Sequence, residues 1–487
     1  MTVGASNQLH PIAVLTAGAL RLFVLATGLA LMPQPAAAVP LDGAALSWPC
    51  GLPFIGILLS IAAGPLLFPK FWHRHYGKIA AAWSAVTLAA IALAVNPATA
   101  LDAFVDAMLD DYLSFIVVLF ALFTVAGGII VTGPLRGAPL VNLALLALGT
   151  AMASAVGTTG AAMILIRPLI RANEERRYNA HVFVFFIFLV ANIGGALTPL
   201  GDPPLFVGFL RGINFFWTTR HLLIETLVVA GLVLTIFFVL DAWLYAREDR
   251  AIAAPDAKPR EPVRIRGGIN FLLIAAIIAV ILIAAAWRPG ISVNLRGTEI
   301  ALQNLLRDAS LVLIAVMSIV LTPDEHRAAN GFSFEPIKEV AKLFAGIFLC
   351  IMPVLAILQA GKAGAFAWLI GMVTDPAGRP NEAAYFWLTG GLSAVLDNAP
   401  TYLVFFQLAG GDPHELMGAL SGTLAAISMG AVYMGALTYI GNAPNLMIYA
   451  IVSERGIRMP SFFGFIGWSL ICLVPVLALV ATITSHF

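Results

Sequence analysis

Ala196-Leu197-Thr198-Pro199-Leu200-Gly201-Asp202-Pro203-Pro204 interrupts one apolar run. Ala436-Leu437-Thr438-Tyr439-Ile440-Gly441-Asn442-Ala443-Pro444 interrupts another about 240 residues later. Each is preceded by a second interruption: Ser154-Ala155-Val156-Gly157-Thr158-Thr159-Gly160 in the first case, and Ser393-Ala394-Val395-Leu396-Asp397-Asn398-Ala399-Pro400 in the second. Glycine, proline and small polar residues recurring at matching places in two halves indicate an internal duplication. Paired broken apolar segments of this kind are the sequence sign of a secondary transporter's binding site.

The surrounding composition belongs in a bilayer. Sixty per cent of the 487 residues are hydrophobic, 11% are charged, and mean hydropathy is +0.93. Runs such as 79–95, 222–240, 271–286 and 463–482 approach or exceed the ~18 to 20 residues that cross ~30 Å of hydrocarbon. The chain therefore reads as an all-α polytopic membrane protein. A net charge of +1 without a large basic cluster argues against a nucleic-acid partner. Cys50, Cys350 and Cys472 are too scattered for a metal site or a disulfide framework, and neither a cofactor nor an enzymatic centre is expected.

Residues 1–38 resemble a signal peptide, with Arg21 ahead of the apolar run Leu22 to Met32 and a cleavage-type ending at Ala36-Ala37-Ala38. An uncleaved first helix is the alternative. Beyond them, Lys and Arg mark loops held in the cytoplasm. Lys70, Arg74 and Lys78 place the first loop inside, and Arg136, Arg171, Arg176 and Arg177 flank both ends of 139–170. That segment reads as a re-entrant hairpin, followed by a broken helix over 181–210. Residues 39–246 form the first repeat. Residues 247–268, with six basic residues and three prolines, form a cytoplasmic linker, and 269–487 form the second repeat, with a hairpin at 383–408 and a broken helix at 416–452. Five spans in the first half leave the second half starting on the opposite side, so the repeats are inverted.

Freed backbone groups in hydrocarbon lack water partners, so breaks persist only where protein or a wet cavity receives them. Two hairpin tips and two unwound spans meeting near the midplane would offer hydroxyls, amides and carbonyls, the oxygen groups that suit a hard cation. Asp202 and Asp397 are the carboxylates within the breaks, and a charge at membrane depth costs roughly 2.5 to 3.5 kcal/mol or more. A carboxyl group away from water holds a proton until a cation displaces it, so these two are candidates for proton–cation exchange. The bland alternatives are a cap or turn-former for Asp202 and a helix cap for Asp397. The aligned neutral residues complete the candidate set: Ser154, Thr158, Thr159 and Thr198 in the first repeat, and Ser393, Asn398, Thr401, Thr438, Asn442 and Asn445 in the second. Motif spacing pairs Thr158 and Thr159 with Asp397 and Asn398, and Thr198 and Asp202 with Thr438 and Asn442. Gly157, Gly160, Gly201, Pro203, Pro204, Pro400, Gly441 and Pro444 read as the structural breaks. Arg167 reads as snorkelling to the cytoplasmic face, and Asn192 as interhelical glue. The cluster Phe183, Phe185, Phe186 and Phe188 reads as lipid-facing or packing surface.

Asn192-Ile-Gly-Gly-Ala-Leu-Thr-Pro-Leu-Gly-Asp-Pro-Pro, with Leu396-Asp-Asn-Ala-Pro-Thr and Thr438-Tyr-Ile-Gly-Asn-Ala-Pro-Asn, resembles the bacterial sodium/proton antiporters of the ion transporter superfamily. Members close to this chain carry the label of citrate transporters. The resemblance implies a scaffold domain, a moving transport domain holding both hairpins, elevator-type alternating access, a homodimer and an inner-membrane location. The dicarboxylate carriers of the superfamily have Ser-Asn-Thr hairpin tips. Here the tips are Gly157-Thr158-Thr159 and Asp397-Asn398-Ala399, and a carboxylate there favours Na⁺ exchanged for H⁺ over an anionic substrate. A cation- or proton-coupled citrate carrier is the alternative. An intramembrane aspartyl protease, which would also hold two buried Asp residues, leaves the duplicated breaks unexplained.

Overall fold

Length decides which helices cross a membrane and which stop inside it. In a computed structural model describing residues 41–133, 135–248, 264–295 and 298–484, nine helices among the described residues are long and apolar enough to span. The expected signal segment and most of the expected linker lie outside the described residues.

The first half runs α1 (Leu52–Leu67), α2 (Pro69–Ala94), α3 (Pro97–Ala126), β1 (Ile130–Thr132), α4 (Pro139–Val156), α5 (Thr158–Asn173), α6 (Ala180–Leu189), α7 (Pro203–Leu210) and α8 (Trp217–Tyr245). The second runs β2 (Arg264–Arg266), α9 (Ile269–Ala286), β3 (Ser292–Leu295), β4 (Thr298–Ala301), α10 (Leu302–Leu321), α11 (Asp324–Ala329), α12 (Glu335–Gln359), α13 (Ala367–Val373), α14 (Glu382–Ser393) and α15 (Asn398–Leu408). It ends with α16 (Pro413–Met417), α17 (Ser421–Met434), α18 (Ala443–Glu454), α19 (Phe462–Cys472) and α20 (Val474–Thr484). Proline opens α2, α3, α4, α7 and α16, where its missing N–H costs nothing and its fixed φ fits the first turn. Asn96, Asn381 and Ser461 cap α3, α14 and α19 by accepting the N–H groups of Thr99, Ala384 and Gly464 at 2.8, 3.0 and 3.2 Å.

The helices next to the breaks are short. α6 has 10 residues, α7 8, α14 12 and α15 11. At 1.5 Å per residue none reaches ~20 Å, so none crosses ~30 Å of hydrocarbon alone. Within α3, residues Ala107–Tyr112 form a π-helical segment, and the Tyr112 hydroxyl donates to Ala341 O of α12 at 2.9 Å.

Packing follows the duplication. If α1, α2, α3, α4, α5, α6 and α7 correspond to α9, α10, α12, α14, α15, α17 and α18, the contacts map onto themselves. α3 packs on α10 as α12 packs on α2, and α5 on α3 as α15 on α12. α4 packs on α6 as α14 packs on α17. The late halves of the broken helices cross over, α7 lying against α15 and α18 against α5. Each repeat thus completes the other's hairpin. The three leading helices of both repeats pack together, and the hairpins, broken helices, α8 and α20 form the layer beside them.

Phe183, Phe185, Phe186 and Phe188 are fully buried, so α6 is a packing helix and not a lipid-facing one. Phe185 packs against Phe188 and Phe237, and Phe188 against Phe465. The end of the linker does reach the described part of the chain, where β2 pairs antiparallel with β1.

Candidate functional site

Backbone geometry brings the hairpin tips to the helix breaks. Gly157 turns the first tip at φ 82°, ψ 151°, a conformation that side chains with a Cβ rarely adopt. Thr158 N–H then donates to Gly201 O at 2.8 Å, joining tip to break. The breaks fold back on themselves so closely that a Cβ on Gly201 would lie 2.1 Å from Gly195 O, and one on Gly441 2.5 Å from Gly435 O. These two glycines are required by approach distance.

Thr198 Oγ1 donates to Ser154 O, and Thr438 Oγ1 donates to Ala394 O at 2.5 Å. Both bonds span 44 residues, so they are the same bond in the two repeats and they set the register. In that register Gly157 corresponds to Asp397 and Thr158 to Asn398, the first helical residues of α5 and α15. The pairing read from the motifs was therefore one residue out at the hairpin tips. The Ser-Ala-Val match misled it because Ser154 corresponds structurally to Ala394.

Asp202 is the centre of the site. Its residue is 1% exposed, and it stands at the start of α7 without capping that helix. The carboxylate is reserved for other elements. Thr158 Oγ1 donates to Oδ1 at 3.2 Å, Asn398 Nδ2 to Oδ2 at 2.7 Å, and Asn442 Nδ2 to Oδ1 at 3.2 Å. Both hairpin tips and both breaks thus converge on one side chain, and the turn-former reading of Asp202 does not account for this. All three donors are neutral. Two carboxylate oxygens offer about four lone-pair sites, so one remains open.

A belt of amides holds these donors in place. Asn442 Nδ2 also reaches Ala191 O at 3.1 Å and Asn192 Oδ1 at 3.2 Å. Asn192 Nδ2 donates to Ile187 O and to Asn445 Oδ1, both at 2.8 Å. Asn445 Nδ2 donates to Gly435 O and Thr438 O, both at 2.9 Å. Ser393 Oγ lies 2.9 Å from Asn398 Oδ1 and 2.7 Å from Ala431 O, joining α14 to α15 and α17.

Asp397 differs in kind. It is half-buried and caps α15, accepting Ala399 N–H at 3.2 Å, as the bland reading of its sequence position expected. It also lines, with Asp202, Thr158, Thr159 and Asn442, a cavity of about 70 Å³. The facing wall is apolar and comes from α3 and α12: Val118, Leu122, Phe123, Ile337, Val340 and Phe344. No Lys, Arg or His lines the cavity among the described residues.

The expected site residues therefore divide. Thr158, Thr159, Asp202, Asp397 and Asn442 line the cavity, and Asn398 touches Asp202 from behind the second tip. Ser154, Thr198 and Thr438 tie hairpins to breaks, Ser393 reaches Ala431 O of α17, Asn445 bonds Gly435 O and Thr438 O within the second broken helix, and Thr401 Oγ1 bonds Asp397 O at 3.0 Å within its own helix. Arg167 lies away from the cavity, its Nη2 3.5 Å from Gly331 O.

Among the buried polar clusters that the sequence did not disclose, one anchors the first hairpin. Asp241, near the end of α8, meets Arg176 Nη2 at 2.7 Å, His181 Nε2 at 2.8 Å and Asn142 Nδ2 at 3.0 Å, and is fully buried. The apolar run was read as ending at Leu240, one residue short of it. An acidic residue at the end of so long an apolar helix was the available signal.

Comparison with known proteins gives the class as a membrane transporter. A family model described as "Putative citrate transport" matches residues 43–485, and the chain belongs to that family. It is 25% identical to an uncharacterized transporter of Mycobacterium bovis over 341 residues, covering 68% of this chain and 73% of that protein. An uncharacterized transporter of Mycobacterium tuberculosis matches to the same extent, and a 46 kDa membrane protein of Mycobacterium leprae is 24% identical over 349 residues. The chain is a multi-pass membrane protein of a transporter family.

Proposed function

We propose that the protein exchanges Na⁺ for H⁺ across the bacterial inner membrane by elevator-type alternating access, with Asp202 and Asp397 carrying the exchanged ions. One observation carries this reading: a cavity of about 70 Å³ with two carboxylates on its wall and no basic side chain among the described residues lining it. That volume suits a cation with one or two waters. Pockets for drug-sized molecules are ~300–1,000 Å³, and a carboxylate-lined wall repels a polyanion.

The chemistry follows from the site's uncompensated charge. Asp202 receives three neutral hydrogen bonds and, among the described residues, no counter-ion, so its ionised form is costly to bury. A proton or a Na⁺ at the open lone pair removes that cost, and occupation by one displaces the other. Asp397 adds the second negative charge, and Thr159 an adjacent hydroxyl. The division between the layer of α1, α2, α3, α9, α10 and α12 and the layer of hairpins and broken helices supports movement of the second against the first. The smooth apolar wall from α3 and α12 would be the sliding surface. A homodimer formed through the first layer belongs to the same reading.

The family description favours a second reading, a cation- or proton-coupled carrier of citrate or a related carboxylate, with the Asp residues as its coupling-ion site. Proteoliposomes with an imposed pH gradient and an internal pH dye separate the two. Addition of Na⁺ or Li⁺ alone is expected to dissipate the gradient, and citrate without either cation is expected to do nothing. A response that requires citrate would replace the antiporter with the carrier.

A further inference from the structure

α8 and α19 do not close against each other along their whole length. Between them lies a groove of about 870 Å³, bounded by Thr235, Val239 and Trp243 on one side and Gly464, Gly467 and Trp468 on the other. From Thr235 to Trp243 it runs about 12 Å at 1.5 Å per residue. Its one hydroxyl, Thr235 Oγ1, is already bonded to Gly231 O at 2.7 Å. Glycine keeps it open: a Cβ added at Gly467 would meet nothing within 4 Å. Val239 at 63% and Ile471 at 77% exposure show that it faces outward. α8 and the run formed by α19 with α20 are candidate membrane spans, so hydrocarbon and not water surrounds it.

One end of the groove is charged. The Arg247 guanidinium lies 3.5 Å from the centroid of the Trp243 ring and is exposed. The N-terminus of α19, capped by Ser461, begins beside Gly464 and adds a partial positive charge. Glu248, next to Arg247, is occupied by the backbone N–H groups of Arg177 and Tyr178 at 3.1 and 3.0 Å. The loop charges place this end on the cytoplasmic side.

We propose that this groove is a binding site for an anionic phospholipid of the cytoplasmic leaflet, with an acyl chain along Thr235 to Trp243 and the phosphate against Arg247. The inference rests on the chain spanning a bilayer and is independent of which ion is transported.

The test uses the full chain in liposomes containing phosphatidylglycerol with a photoreactive acyl chain, followed by digestion and mapping. Label is expected on the peptides around Val239 and Gly467. Unlabelled phosphatidylglycerol should compete about fivefold better than phosphatidylcholine, the value of roughly one basic residue at an anionic surface. Gly467→Phe, which fills open space, should lower the labelling of these peptides at least about tenfold. Arg247→Gln should keep the label and lose the headgroup preference. Undiminished labelling in Gly467→Phe overturns the proposal, as does an unchanged preference in Arg247→Gln. Crosslinking of two copies through Cys472, which lines the groove, would show that a second chain covers it and would equally overturn it.

Discussion

Asp202→Asn is expected to reduce Na⁺-driven proton movement at least about 100-fold, to the background of empty liposomes, while the protein remains folded in the membrane. The substitution keeps the shape and removes the carboxylate on which both hairpin tips and both breaks converge. Its effect on stability is small because two terms oppose each other. Removing an unpaired charge from membrane depth is worth roughly 2.5 to 3.5 kcal/mol, and an amide in its place turns an N–H toward the donors of Thr158, Asn398 and Asn442. Thermal unfolding in detergent, followed by size exclusion, checks the second half of the expectation. Residual exchange above a tenth of wild type would show that Asp202 is only part of the framework. Asp397→Asn, made alongside, should also lose coupling, since the cavity would then hold a single carboxylate.

Asp241→Ala should have the largest effect on stability. Arg176 and Asp241 are buried together, and the pair fastens both ends of the first hairpin to α8. Deleting the carboxylate leaves buried Arg176 with Glu248, 3.6 Å away, as its remaining carboxylate and takes acceptors from His181 and Asn142. Loss of one partner of such a pair typically costs ~3 to 5 kcal/mol, a large share of a protein's stability. A sharp fall in folded yield and in the detergent unfolding temperature is expected. The double variant Arg176→Met with Asp241→Leu should recover much of it, because Glu248, the other carboxylate beside Arg176, keeps the backbone N–H groups of Arg177 and Tyr178. An Asp241→Ala protein as stable as wild type would mean that water or another cation-binding group satisfies Arg176.

The helices and their breaks could be read from the sequence because each has a local cause. Apolar length marks the spans, and Gly201-Asp202-Pro203-Pro204 and Gly441-Asn442-Ala443-Pro444 combine residues that disfavour continuing a helix. The convergence on Asp202 could be expected but not specified. Asn442 lies 240 residues from Asp202 and Asn398 lies 196 away, and no local pattern says that these amides, and not Ser154 or Thr198, face the carboxylate. A hydroxyl in a broken helix looks the same in sequence whether it binds an ion or a neighbouring carbonyl. Thr198 and Thr438 do the latter. The one-residue slip at the hairpin tips has a similar origin, since Ser-Ala-Val matched by identity while the backbone matched by the position of the first helical residue.

The central claim is that Na⁺ and H⁺ compete for the same carboxylates, and the dependence of Na⁺ half-saturation on pH tests it most directly. In proteoliposomes the Na⁺ concentration giving half-maximal exchange should rise up to about tenfold for each unit by which pH falls, with the maximal rate little changed. This is the reciprocal effect that one bound ion must have on the affinity for the other. A half-saturation that stays constant while pH changes the maximal rate alone would contradict the account and place proton and cation on separate sites.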